Sequence, residues 1–470
     1  VTILPLDPAA NSTPEALRQF LVQCQEAAAL KGRPQLVSIS LETAALDPLA
    51  VLESIFEPAE RHFYVERPAE GLAIAGAEAV LAFAASGPDR FAACQRFIDD
   101  TLQNTLAVGD LTVPLAGPHF FAAFTFADHG EPGDAFDAAG LFVPRWQVAQ
   151  RDGRTVAVAN LLVAPDSPIE PLVERVWRAH AKFGAFRYAA PEFAGRPARI
   201  AEEPPTGDYP AAVRRALAGI AAGDFEKIVL ARTRDLVADE TLHPLRVLNG
   251  LRQRFGDCYA FSVANGRGQS FIGASPERLL RVGEGQLLTE ALAGSAARGA
   301  TASGDAALAE ALRQDEKELR EHQLVLGFIG RALESLGLRP AHAEPPGLRR
   351  FANVQHLHTA VRAALPPGVR LLDVLGRLHP TPAVGGAPRE ASLARIRGLE
   401  GFSRGLYAGA LGWIDGNGRG EFFVGLRCAL IDGARARLYA GAGIVAGSSP
   451  AAELAETEMK FRAMEDALRS

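Results

Sequence analysis

The chain carries 470 residues, 48% hydrophobic and 22% charged, which is enough apolar material for a large buried core and excludes a disordered chain. With 49 Lys and Arg against 55 Asp and Glu the formal net charge is −6, so no global positive field draws in nucleic acid or anionic lipid, and any anionic ligand must be captured locally. Cys24, Cys94, Cys258 and Cys428 lie far apart and form no CxxC pair, which argues against a zinc site or a disulfide framework. There is no basic-then-apolar leader and no window of about eighteen uninterrupted apolar residues, so the expectation is a cytoplasmic protein outside any membrane.

From Leu36 to about Val148, apolar runs such as Leu36 to Ile39 and Phe120 to Phe126 alternate with turn-rich stretches such as Asp128 to Asp134. This predicts strands with helices between them. Pro191, Pro197, Pro204, Pro205 and Pro210 crowd the stretch from Ala190 to Pro210, a composition that suits a surface connector and sets a soft boundary between residues 1–205 and 206–470. Tyr209 to Ala222 reads as a helix and Ile228 to Leu230 as a strand. Ser303 reads as the N-cap of one long helix through Leu308, Leu312, Val325 and Phe328 to about Leu336, with Gly337 at its end. Leu406 to Trp413, Glu421 to Leu430 and Arg437 to Ala442 read as strands, the first two joined by the turn Asp415-Gly416-Asn417-Gly418. A last helix opens at Ser448-Ser449-Pro450, where Ser449 can cap and Pro450 suits the first helical position. Strands and helices come in runs instead of strict alternation, so the expected class is α+β with antiparallel sheets.

In that last helix Glu453, Glu456 and Lys460 fall at i, i+3 and i+7, on one face. The pattern serves a solvated acidic first turn that complements the helix dipole, or a carboxylate pair for a hard cation beside a lysine for an anionic group. Just before it, Gly441-Ala442-Gly443-Ile444-Val445 sets two glycines ahead of a helix N-terminus, a tight turn or a place for an oxyanion. Glu321 shares a stripe with Val325, Phe328 and Ala332 that otherwise reads as core-facing, so it needs a partner, an arginine or a metal. Lys227 opens a strand on the same side as Val229 and Ala231. It is either solvated or a buried base; as a base its affinity for protons must fall far below the reference of about 10.4. Glu277 follows a strand that Pro276 terminates, a turn carboxylate or, if desolvated, a general acid. No GxSxG, GxxxxGK[ST], HExxH or Rossmann GxGxxG accompanies these residues.

Taken in order, Lys227-Ile228-Val229-Leu230-Ala231-Arg232, Gly273-Ala274-Ser275-Pro276-Glu277, Leu292-Ala293-Gly294-Ser295, Glu321-His322, Gln355-His356-Leu357, His379-Pro380-Thr381-Pro382-Ala383-Val384, Gly405-Leu406-Tyr407, Leu426-Arg427, Gly441-Ala442-Gly443-Ile444-Val445 and Glu456-Thr457 closely resemble motifs of the chorismate-utilising enzymes. That family comprises the isochorismate, salicylate, anthranilate and aminodeoxychorismate synthases. The resemblance covers about Tyr209 to Met464; the first 200 residues share only a strand-rich texture. It implies two stacked antiparallel β-sheets with helices outside, one compact unit in which residues 1–205 are the variable part and residues 206–470 the chorismate-binding part. A monomer is expected, though the sequence itself does not fix the oligomeric state.

The resemblance also assigns roles. Glu321 and Glu456 would hold Mg²⁺, with Glu453 helping, and the metal would take the ring carboxylate of chorismate. Arg427 and Tyr407 would bind the enolpyruvyl carboxylate with the Gly443 amide and Lys460. Gly294 would let the backbone approach the ring, and His356 would lie beside the reacting face. Lys227 would activate water for attack at C2 while Glu277 protonates the departing C4 hydroxyl. A lysine at position 227 and Leu292-Ala293-Gly294-Ser295 resemble the water-using branch, which points to an isochorismate synthase. A salicylate synthase, which goes on to eliminate pyruvate, and a non-catalytic chorismate-binding subunit are the alternatives. The chain departs from the family at Leu319 and Arg320, where the arginine before the metal glutamate is shifted, and at Ala360, where a proline is common.

Overall fold

The computed structural model describes residues 2–3, 13–184, 186–188, 199–205, 207–351 and 354–469. A first layer of strands runs in the order Leu72–Ala85, Arg61–Arg67, Tyr259–Asn265, Gln269–Ser275, Cys428–Asp432, Arg435–Val445 and Lys227–Ala238, each antiparallel to its neighbour. A second runs Ala139–Arg151, His119–Phe124, Ala410–Asp415, Gly420–Val424, Arg278–Gly283, Gln286–Ala297 and Val354–Ala364, again antiparallel. Leu72–Ala85 pairs with Ala139–Arg151, so the two stacked layers belong to one hydrogen-bonded sheet folded over on itself.

Aromatic side chains fill the space between the layers because alternate residues of each strand must point there. Phe63 stacks on Phe121 with ring centroids 4.6 Å apart, and Tyr259 on Phe423 at 4.8 Å. Each buried ring of this size contributes about 1.5–3 kcal/mol through its apolar area. Helices Tyr209–Ala221, Pro244–Arg254 and Pro450–Leu468 cover the first layer from outside, and Ala302–Gln314 and Glu316–Glu334 the second. Arg154–Val163, Gln35–Thr43 and Thr105–Gly109 extend the sheet beyond Ala139–Arg151. There Gln35–Thr43 runs parallel to Thr105–Gly109, an exception to the antiparallel rule.

The chain passes between layers at two places that matter for function. Pro276 and Glu277 lead from Gln269–Ser275 to Arg278–Gly283, and residues 425–427 lead from Gly420–Val424 back to Cys428–Asp432. The stretch read as one strand, Glu421 to Leu430, is therefore two strands, broken where Arg427 takes a left-handed φ of 48°. Similarly, Leu406 to Gly409 is turn and the strand begins at Ala410, while the hairpin at Asp415 to Gly418 forms as read.

The expected long helix is two helices. Thr301, not Ser303, caps the first, and Asp315 ends it and caps the second through hydrogen bonds from the amides of Lys317 (2.9 Å) and Glu318 (3.0 Å). Pro191 and Pro197 lie outside the described residues, and beyond them Ile200–Glu202 pairs with Leu236–Ala238. Ladders also join early and late segments, as where His119–Phe124 pairs with Ala410–Asp415.

Candidate active site

Between the ends of these strands and the two glutamate-bearing helices lies a cleft. Glu277, Gly294, Glu321, His356, Tyr407, Arg427, Gly443, Glu456 and Lys460 all line it. Lys227 and Glu453 stand just behind the lining.

Lys227 is fully buried at the first position of its strand, and its Nζ donates to Glu321 Oε1 at 2.8 Å. Strand register sets Val229 opposite Gly443. A Cβ on residue 443 would stand 3.1 Å from Glu321 Oε1 and 3.2 Å from Lys227 Cε, so glycine is what lets this ion pair lie against the cleft floor. Gly441 has the same relation to Tyr407, whose hydroxyl would meet an added Cβ at 2.7 Å. Gly294 needs its residue type twice over: its φ is +80°, and a Cβ would lie 3.0 Å from the Glu318 carbonyl.

Glu277 is buried at the crossover, its amide donating to Ser275 Oγ at 3.3 Å. Burial, reinforced by the neighbouring Glu290 and opposed by Lys227 and Lys460, pushes its carboxyl up to about 8. Near neutrality it therefore carries a proton. Glu290 behaves oppositely: Arg349 (2.9 Å), His358 Nε2 (3.1 Å) and Arg278 surround it, and despite burial these partners hold it down at about 2. Two adjacent carboxyls thus have opposite protonation.

His356 shares a hydrogen bond with Ser295 Oγ through Nδ1 at 2.8 Å, while its Nε2 is buried without a partner. Burial, together with Arg427 and Lys460, pushes the ring down to about 3, so it is neutral. Arg427 is half-buried, and no hydrogen bond or ion pair engages its guanidinium among the described residues. Burial lowers its proton affinity, but a guanidinium is charged throughout the physiological range. An uncommitted planar cation in a cleft is a seat for a carboxylate. Tyr407 stacks on Tyr439 at 5.3 Å beside it.

Lys460 Nζ donates to Glu456 Oε1 and to the Gly441 carbonyl, both at 2.7 Å. Chiefly through Lys460, Glu456 is held below the usual carboxylate range; burial raises Glu453, which a hydrogen bond with Ser448 partly offsets. Among the described residues no three His, Cys, Asp or Glu side chains converge tightly enough to cage an ion. The expected set divides accordingly, with Glu321 and Glu456 opening into the cleft and Glu453 outside its lining. Two carboxylates facing one pocket still suit Mg²⁺, which takes one or two from the protein and completes its shell with water and substrate oxygens.

Sequence reasoning missed Glu290 and Glu318 and, though it placed Ser295 in a family motif, gave that residue no role. Glu318 accepts from the Ser295 amide at 2.8 Å, and burial and Glu321 raise its carboxyl. The signal for it was its i, i+3 spacing to Glu321, which mirrors Glu453 and Glu456.

The folded-over antiparallel sheet thus gathers a protonated carboxyl and an arginine without an ion-pair partner among the described residues at one cleft, with a buried lysine just behind its lining. Residues 19–469 match the family model described as chorismate binding enzyme, and the chain belongs to that family. It is 38% identical over 93% of its length, and 90% of the other's, to the salicylate biosynthesis isochorismate synthase of Pseudomonas aeruginosa. It is 32% identical over 92% of its length, and 93% of the other's, to the isochorismate synthase MenF of Bacillus subtilis. Its fold superposes on the menaquinone-specific isochorismate synthase MenF of Escherichia coli with a TM-score of 0.76 at 26% identity, covering 95% of this chain and 99% of that one. Among the described residues no helix is long and apolar enough to cross a membrane.

Proposed function

We propose that the protein is an isochorismate synthase that adds water at C2 of chorismate and expels the C4 hydroxyl. One observation carries this reading above the others: Glu277 bears a proton near neutrality in the cleft beneath whose floor Lys227 is buried against Glu321. With its amine deprotonated, Lys227 takes a proton from water as the water oxygen bonds to C2, the ring double bonds shift, and Glu277 gives its proton to the C4 oxygen, which departs as water. One water enters and one leaves, so the product is an isomer.

Arg427 and Tyr407, with Lys460 and the Gly443 amide, hold the enolpyruvyl carboxylate, and Gly294 lets the ring lie close to the backbone. His356 is a neutral, Ser295-oriented ring beside the substrate, unable at neutral pH to compete with Glu277 as the acid. Glu321 and Glu456, with Glu453 behind them, are the residues that would hold Mg²⁺. When bound, the ion neutralises and orients the ring carboxylate.

The relatives' names favour isochorismate as the product, and the name of the Pseudomonas protein ties that product to salicylate biosynthesis. Chromatography of the reaction of the purified protein with chorismate and Mg²⁺ tests the reading. Isochorismate alone is expected; salicylate with pyruvate identifies the bifunctional alternative, and binding without turnover identifies a non-catalytic subunit. Lys227→Ala is expected to abolish turnover, and full activity in that variant would end the proposal.

A further inference from the structure

The strand Lys227–Ala238, which carries both Lys227 and Val229 into the site, is unevenly supported. One edge pairs along nearly its whole length with Arg435–Val445. On the other, Gly386–Ala387 pairs only with Lys227 and Ile228, and Ile200–Glu202 only with Leu236 to Ala238. Between them lie backbone groups of a buried strand with no strand beside them among the described residues, and such groups need other partners.

For two of them, the Val229 carbonyl and the Ala231 amide, the partner is a buried ion pair. Glu400 ends the helix Arg389–Glu400, and Gly401 follows it at a φ of +80°, turning the chain back so that Arg404 reaches the same carboxylate. Arg404 Nη2 and Glu400 Oε1 are 2.5 Å apart, and both side chains are almost wholly buried. Glu400 Oε1 accepts from the Ala231 amide at 2.6 Å. Arg404 Nη2 donates to the Val229 carbonyl at 2.8 Å and Nη1 to the Val384 carbonyl at 2.9 Å, while its Cζ stands 5.6 Å from the centre of the Tyr407 ring. Val229, Val384 and Tyr407 all line the catalytic cleft, yet Arg404 itself does not; it lines a separate, larger cleft behind them, together with Glu400.

We infer that Arg404, oriented by Glu400, is a positioning residue for the reaction proposed above: one guanidinium fixes three walls of the substrate cleft, from the strand of Lys227, the segment before Gly385 and the loop bearing Tyr407. The inference rests on that proposed reaction. Arginine is required because a planar fork can satisfy a carboxylate and two carbonyls in fixed directions at once, which an ammonium on a flexible stem cannot. The walls touch substrate, so their displacement weakens its binding, whereas a merely structural role would lower the active fraction and leave the affinity of what remains unchanged.

The test compares wild type, Arg404→Lys, and the double variant Arg404→Met with Glu400→Met, which leaves no charge buried alone. Thermal unfolding identifies folded protein, and isochorismate formation yields kcat and KM separately. Folded Arg404→Lys is expected to show a KM for chorismate raised about tenfold or more, with the double variant at least as impaired. If Arg404→Lys does not fold, the double variant carries the same comparison. An unchanged KM in whichever variant folds, with only kcat reduced, overturns the inference. Wild type that makes no isochorismate would instead sink the proposed reaction, and the two failures are distinguishable in one set of assays.

Discussion

Replacing Glu277 with Gln removes one proton-donating group and changes almost nothing in volume, so it separates the acid's chemistry from its cost to the fold. Its folded-state value rises from the ordinary 4.5 to about 8, mainly by burial. The folded protein therefore holds this proton more tightly than the unfolded chain, and the associated stability is fully present below about 4.5 and lost as pH rises through about 8. At about 1.4 kcal/mol per pH unit, the rise corresponds to about 5 kcal/mol. Denaturant unfolding across pH 5 to 9.5 is expected to show wild type losing stability relative to Glu277→Gln by about 1.4 kcal/mol per pH unit, with the loss levelling above about pH 8. In the same range wild-type kcat/KM should fall about tenfold per pH unit above about 8, because the deprotonated carboxyl cannot protonate the leaving hydroxyl. Glu277→Gln should lose about 10²–10⁴-fold in kcat at pH 7 while still binding chorismate. A stability difference independent of pH, or a variant that turns over normally, would refute the reasoning.

Gly443→Ala is expected to keep the fold, since no left-handed backbone is required there, but to push the Lys227 and Glu321 ion pair aside from contacts of 3.1 and 3.2 Å; kcat should fall about a hundredfold, as read in steady-state kinetics. Arg427→Lys retains the charge and loses the fork, so KM for chorismate should rise about tenfold or more with a smaller change in kcat. Dialysis against a chelator should abolish turnover and added Mg²⁺ restore it, and Glu456→Gln should raise the Mg²⁺ concentration needed for half-maximal rate, measured by titration. Gly294→Ala should destabilise the protein by about 1 kcal/mol or more because of its positive φ, which a melting curve would register.

How much could be read from sequence depended on the range of the interaction. The start of the last helix at Pro450, the i, i+3, i+7 spacing of Glu453, Glu456 and Lys460, and the hairpin at Asp415 to Gly418 are set by neighbours a few residues away, and they stand in the structure where spacing put them, although Ser449 holds the N-cap position without a side-chain capping hydrogen bond. The break at Asp315 was also local and legible in principle, since an aspartate before Glu316, Lys317 and Glu318 is a cap signal; the apolar period running through it hid the signal.

Chain order and residue type by themselves determined the family motifs, the fold class and the residues with chemistry to offer. Tertiary structure alone decided their state. Lys227 meets Glu321 from 94 residues away, Ser295 meets His356 across 61, and Arg404 meets Val229 across 175. Glu277 becomes an acid, and Glu290 beside it a firmly ionised carboxylate, only because burial dominates the one and the other is ringed by Arg349, His358 and Arg278. Protonation, burial and the direction of a side chain are properties of surroundings assembled from distant strands, and a linear pattern carries no term for them.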